Sequence, residues 1–142
     1  MILKQLSVFV ENKLGKLVDV VEALGQEGID IRALSIADTS DFGILRVIVS
    51  GPDDVAALLR EQGYIVRLTN VLAVSLPDAP GSLAKVLRAL SDENINVEYT
   101  YAFVSHNEDK AYVVIKVENN EHAMQVLAKH GVLLADEEDI YK

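Results

Sequence analysis

Residues 10–17 read VENKLGKL and residues 76–83 read LPDAPGSL, and the relation between these two stretches decides the fold. Each closes an alternating apolar run and opens one with helical spacing, so each reads as a strand-to-helix turn. An offset of 66 residues places Gly15 on Gly81. The same offset places Leu6 on Leu72, Val8 on Val74, Leu17 on Leu83, Leu24 on Leu90 and Ile29 on Ile95. Farther along the offset becomes 68, placing Val49 on Val117, Leu59 on Leu127 and Gly63 on Gly131. Two additional residues in the second copy's hairpin turn account for the change. The chain is an internal repeat, with copies expected at residues 1–69 and 70–142.

Working outward, each copy reads strand, helix, strand, strand, helix, strand. Residues 2–10 alternate as a half-buried strand does. LGKLVDVVEALGQEG (14–28) follows, its apolar stripe expected from Leu14, Leu17, Val18, Val21 and Leu24, with Gly28 as a left-handed stop. IDIRALSIAD (29–38) and FGILRVIV (42–49) read as a hairpin. Pro52 suits the first turn of a second helix whose buried side carries Val55, Leu58 and Leu59, and YIVRL (64–68) closes the copy. The second copy repeats the plan, with INVEYTYAFV (95–104) and KAYVVIKV (110–117) as its hairpin strands. No Pro/Gly/Ser-rich linker separates the copies at Asn70. The βαββαβ pattern predicts an α+β fold of two tandem ferredoxin-like domains. Each is expected to hold a four-stranded antiparallel sheet in order 4-1-3-2, with both helices on one face.

Composition narrows the function. The 142 residues carry a formal net charge of −9, half are hydrophobic, and there is no cysteine. A packed core is expected, and a basic surface for nucleic acid is not. Disulfides, thiol nucleophiles and cysteine-based metal sites are excluded. Apolar runs fall short of a membrane span, and the N-terminus lacks a signal-peptide pattern, so a cytoplasmic protein is expected. His122 and His130, eight residues apart on one predicted helix, stand roughly 12 Å apart along it, too far to share a metal. No nucleophile elbow, phosphate loop or dinucleotide fingerprint occurs, which disfavours a catalyst or a cofactor. Tyr99, Tyr101 and Phe103 share one strand face and read as packing, and DEED (136–139) reads as a solvated acidic end.

The two turns resemble those of the ACT-domain family, small-molecule sensors attached to enzymes of amino-acid metabolism. The family's loop carries Asn or Asp, a variable pair often ending in Pro, then Gly and a nearby Leu. Asn12, Gly15 and Leu17 match it in copy one, and Asp78, Pro80, Gly81 and Leu83 in copy two; Leu14 stands where proline is frequent. The resemblance implies a stand-alone tandem pair that binds a free amino acid and regulates its metabolism, without being an enzyme. An alternative is a regulatory small subunit, such as that of acetolactate synthase, acting through protein contact.

Such a ligand has a physical rationale. Unpaired N–H groups at a helix start suit a carboxylate, here those around Leu14 to Leu17 and around Ser82. The Asn12 or Asp78 side chain suits the ammonium, and Gly15 and Gly81 let a ligand approach the backbone. Lys13 and Lys16 are further candidates for meeting an anion, although Lys16 also reads as a solvated residue. The polar hairpin ADTSDFG (37–43), with Ala37 and Asp38, is a candidate cover. The resemblance further implies that the start of a neighbour's second strand, Asp30 or Asn96, completes the polar shell. Turn chemistry alone also explains the glycines, and N-capping explains Asn12 and Asp78. Exposed sheet edges and a one-sided helical layer predict a homodimer.

Overall fold

A computed structural model of the chain describes residues 1–38, 41–104 and 109–141. In order these form β1 (Ile2–Glu11), α1 (Lys16–Gln26), β2 (Ile31–Asp38), β3 (Phe42–Val49), α2 (Pro52–Glu61) and β4 (Ile65–Pro77). There follow α3 (Ser82–Asp92), β5 (Tyr99–Ala102), β6 (Lys110–Lys116), α4 (Asn120–Lys129), β7 (Leu133–Leu134) and α5 (Glu137–Tyr141). Two compact units result, one of Lys4–Thr69 and one of Met1–Leu3 with Asn70–Lys142. The first three residues group with the second unit through two bonds. The Met1 carbonyl accepts from the Ala73 amide at 3.1 Å, and the terminal ammonium donates to the Ala135 carbonyl at 3.3 Å.

The first unit has strand order β2-β3-β1-β4, with β3 antiparallel to both its neighbours. In the second, β6 is antiparallel to β5 and β4, and β7 pairs with β4 through Val74–Leu134 and Ser75–Leu133. Both have the expected 4-1-3-2 order, read from the other edge. The cores repeat as the strands do. Leu6, Val8 and Val10 of β1, Leu45, Val47 and Val49 of β3, and Val20, Leu24, Val55 and Leu59 of the helices are buried together. Their counterparts Leu72, Val74, Leu76, Val113, Ile115, Val117, Val86, Leu90, Ala123 and Leu127 form the second core. Alternate strand residues thus face the paired helices in each unit.

The four long helices end alike. After α1 the Gly28 amide bonds Gly25 O and the Ile29 amide bonds Leu24 O, both at 3.0 Å, around Gly28 at φ +70°. The same crossed pair closes α2 at Gly63, α4 at Gly131 and α3 at Asn94, whose φ is +60°. This is the Schellman closure, which satisfies terminal carbonyls while turning the chain toward the next strand.

Three local expectations need correcting. On α1 the residues buried against the sheet are Val20 and Leu24; Leu17, Val18 and Val21 are exposed, as is Leu14, which precedes the helix. The apolar arc of this helix is wider than the part the sheet covers, so a stripe centred on the arc misses the buried edge. The second strand of copy two is shorter than INVEYTYAFV: residues 95–97 are not in the ladder, which begins at the Glu98 amide bond to Lys116 O. The acidic end is not simply solvated. Asp136 and Asp139 cap one another, each accepting the other's amide at 3.0 Å. Asp139 also accepts from the Tyr112 hydroxyl at 3.1 Å, and Ile140 is 1% exposed.

The amide of Asp136, followed by the hydroxyl of Tyr112, holds the Asp139 carboxyl below its ordinary value. A depressed carboxyl contributes stability above its unfolded pKa and loses it as pH falls through the folded one. The stability advantage of the wild type over Asp139→Asn is therefore expected at neutral pH and should shrink below about pH 4, measured by urea unfolding across pH. Ile140→Ala should cost about 2–5 kcal/mol in the same assay at neutral pH.

Candidate functional site

Each candidate loop is built from one strand end, one glycine and one helix start. Beyond β1 the Lys13 amide bonds Glu11 O at 2.8 Å, and the Lys16 amide bonds Lys13 O at 3.2 Å. Beyond β4 the matching bonds are Ala79 to Pro77 O at 2.9 Å and Ser82 to Ala79 O at 3.2 Å. Gly15 and Gly81 then occupy the N-cap positions at φ +85° and +86°, and neither helix has a side-chain cap bond. Asn12 and Asp78 are therefore not N-caps. Each loop is also tied to its hairpin, by the Asn12 amide to Asp41 O at 3.0 Å and the Asp78 amide to Asp109 O at 3.1 Å.

The sheet register sorts the remaining candidates. Glu11 lies opposite Phe42 and Val10 opposite Gly43, while Asp38 also lies opposite Gly43. Ala37 and Asp38 thus stand at the same end as the Asn12–Leu17 loop. Thr39 and Ser40 lie outside the described residues, as does His106 of the second hairpin. Asp30 precedes Ile31, which lies opposite Val49, at the far end of β3. Seven strand residues separate the two ends, roughly 20 Å at ~3.3 Å per residue. Asn96 is at the far end of the second unit for the same reason, because Tyr99 lies opposite Lys116 and Pro77 opposite Lys110. There it lines a hollow of about 600 Å³ with Asn94, Glu98, Lys116, Asn119 and His122.

Charges near the first loop are partly committed. Lys13 pairs with Glu11 at 3.0 Å, and this ammonium holds the Glu11 carboxyl below its ordinary value. At the far end of the sheet Asp30 pairs with Arg32 at 3.0 Å. Lys16 lines a hollow of about 400 Å³ with Glu11, Asp19, Phe42, Gln62 and Tyr64. Burial, and then the Asp19 carboxylate, push the Tyr64 phenol above its usual value. Asp19, Phe42, Gln62 and Tyr64 were not singled out from sequence. The 68-residue offset that matches Gly63 to Gly131 is the signal that marks this second rim, since it shows that the α2–β4 turn is retained in both copies. Among the described residues no group of three or more His, Asp and Glu is placed to hold a metal ion. No helix among them is long and apolar enough to cross a membrane.

Paired βαββαβ units, each with a glycine-led loop before its first helix, define a tandem ferredoxin-like protein with two equivalent candidate sites. A family model described as an ACT domain pair matches residues 1–142, and the chain belongs to that family. A Bacteroides thetaiotaomicron protein of known structure is similar along its whole length: 45% identical, covering 100% of this chain and 97% of that one, with a TM-score of 0.91. The ligand-free regulatory subunit of aspartate kinase from Thermus thermophilus shares the fold at 16% identity, over 89% of this chain and 91% of that one, TM-score 0.63. Aspartate kinase from Synechocystis does so at 21% identity over 95% of this chain and 27% of that one, TM-score 0.56. No curated protein matches the chain.

A Cβ built at Gly15 meets nothing within 4 Å, so only the backbone conformation resists substitution there. Gly15→Ala should cost about 1–2 kcal/mol in urea unfolding, and Gly15→Asn clearly less, because Asn tolerates the left-handed region.

Proposed function

We propose that this protein is a regulatory, non-catalytic sensor of a free amino acid, with ACT domains at residues 1–69 and 70–142. The observation that supports the reading most is the duplicated loop. Two sequences sharing little beyond an Asn or Asp, a Gly and a Leu adopt the same bonds and the same left-handed glycine. Both leave the helix start without a side-chain cap. A ligand carboxylate against the first-turn amides would supply the missing cap, and the carbonyl of Asn12 or the carboxylate of Asp78 would accept from the ammonium. Leu14, Lys16, Leu17, Ala37 and Asp38 surround the first loop, and Pro80, Ser82 and Leu83 belong to the second. The ACT-pair family and the regulatory subunits among the structures sharing its fold support a regulatory role.

The reading includes a homodimer. Asp30 and Asn96 sit roughly 20 Å from the loops of their own units at the strand rise, so they complete such a site only on another unit, and a neighbouring copy supplies one. Leu17, Val18 and Val21 of α1 and Leu34 and Ile36 of β2 are exposed. Leu34 and Ile36 lie opposite Val47 and Leu45 and so share the sheet face that carries the helices. The same apolar face favours a second reading, a subunit held on a metabolic enzyme. Light scattering should show a dimer for the wild type and a monomer for Val18→Asp. Monomeric wild type that co-purifies with a large enzyme would favour the second reading.

Calorimetry against the twenty amino acids tests the ligand. Asn12→Ala removes a polar contact without straining the turn, and loss of one charge-assisted bond of about 1.5–3 kcal/mol should weaken binding roughly ten- to hundredfold. Asp78→Ala should matter less, since copy one retains the amide side chain. Unchanged affinity in Asn12→Ala would rule out the first loop, and unchanged affinity in both variants would remove the loops from binding.

A further inference from the structure

Each unit has a hollow between the start of its first helix and the turn after its second, and the two hollows are lined by matched positions. In the first unit it is about 400 Å³ and in the second about 430 Å³. The 66- and 68-residue offsets carry Glu11 to Pro77, Asp19 to Lys85, Phe42 to Lys110 and Gln62 to His130. The chemistry inverts between the copies. The first hollow has two carboxylates and one ammonium, from Glu11, Asp19 and Lys16. The second has two ammonium groups and one carboxylate, from Lys85, Lys110 and Asp109, with the His130 imidazole beside them.

This cationic concavity belongs to a chain of formal net charge −9, and helix stability does not explain it. Lys85 lies near the N-terminal end of α3, where the helix dipole disfavours a cation; α1 carries Asp19 at the matched position, where the dipole favours it. Among the described residues neither Lys85 nor Lys110 forms an ion pair within 4.0 Å, although the Lys110 ammonium also acts on the Asp139 carboxylate. The opposite wall is apolar, made by Leu76, Val86, Val132 and Leu133, and Leu133 remains 64% exposed. A purely inorganic anion would leave Leu133 in water, and an uncharged aliphatic molecule would leave the Lys85 ammonium without an anion.

We propose that the second unit's hollow binds a small monocarboxylate with an aliphatic tail. Lys85 and Lys110 hold the carboxylate, the Ser82 hydroxyl stands at the same rim, and the tail covers Leu133 beside the buried Leu76 and Val86. The site differs from the loop site in its ligand class and rests on one unit alone.

Calorimetry on the full chain with 4-methylpentanoate tests this, with 4-methylpentanamide, acetate and inorganic phosphate as comparison probes. Saturable binding of 4-methylpentanoate is expected, at least tenfold tighter than the amide or acetate, and at least tenfold weaker in Lys85→Gln and in Lys110→Gln. Melting curves of both variants establish that they fold; Lys85→Met, which keeps the stem of the side chain, gives a second reading of the same charge. Absence of saturable binding at millimolar probe overturns the proposal, as does unchanged affinity in the lysine variants. Phosphate binding as tight as 4-methylpentanoate overturns the assignment of an aliphatic carboxylate. Loss of 4-methylpentanoate binding in Asn12→Ala, with the lysine variants unaffected, would move the carboxylate to the first loop and overturn it too. Binding of 4-methylpentanoate with no response to any amino acid would sustain this site and defeat the amino-acid reading.

Discussion

The chain leaving the first strand of each unit must turn into a helix that lies back across the sheet, with only four residues between β1 and α1 or between β4 and α3. It does so through a residue at φ +85° or +86°, a conformation that costs an L side chain roughly 1–2 kcal/mol and glycine almost nothing. Much else depends on that turn. It aims Val20 and Leu24, or Val86 and Leu90, at the alternate strand residues that form each core. By using glycine as the N-cap it also leaves the helix start with no side chain to satisfy its amides. The constraint that builds the core and the feature that makes the loop a candidate site are the same residue.

The sequence was most legible where physics acts on both copies alike. Gly15 with Gly81, Gly63 with Gly131 and the residues needed in the core recur at fixed offsets, so strand order, helices and loops follow from the sequence pattern. Legibility failed where a feature depends on what covers it. The apolar arc of α1 is plain from the spacing of Leu17, Val18, Val21 and Leu24, but periodicity gives the direction of an arc and not how much of it a sheet reaches. The strand starting at Ile95 failed for another reason. Asn94 at φ +60° ends α3 in the same closure as the glycines, and Ile95 and Val97 pack on the core without entering the ladder. Apolar alternation there reports burial, which a loop can supply as well as a strand. The acidic end was unreadable because Tyr112, its partner, is 27 residues away.

For the candidate site, the loops themselves were legible and their surroundings were not. Asn12 and Gly15 announce a turn, yet only the register shows that Ala37 and Asp38 share their end of the sheet and that Asp30 does not. Likewise, nothing local marks Asp19 and Gln62 as two sides of one hollow. They come together because the β1–α1 and α2–β4 turns fall at the same end of a βαββαβ unit, a consequence of topology that no single segment records.

Duplication explains how one scaffold carries two chemistries. Positions that hold the fold cannot vary freely, and they match across the copies: each buried strand residue named in the first core has an apolar partner in the second. The rim of the hollow is under no such constraint. Its side chains end in solvent, where a single charge change alters stability by at most a few tenths of a kcal/mol. Exchanging Asp19 for Lys85, Phe42 for Lys110 and Gln62 for His130 therefore costs the fold little, while it reverses the formal charge of the cavity's lining. Lys85 stands where the helix dipole opposes a cation, while Asp19 stands at the matched position where it favours an anion, so the copies differ in helix electrostatics as well as in lining charge. That asymmetry, more than the cavity's volume, is the reason to look for an anion there.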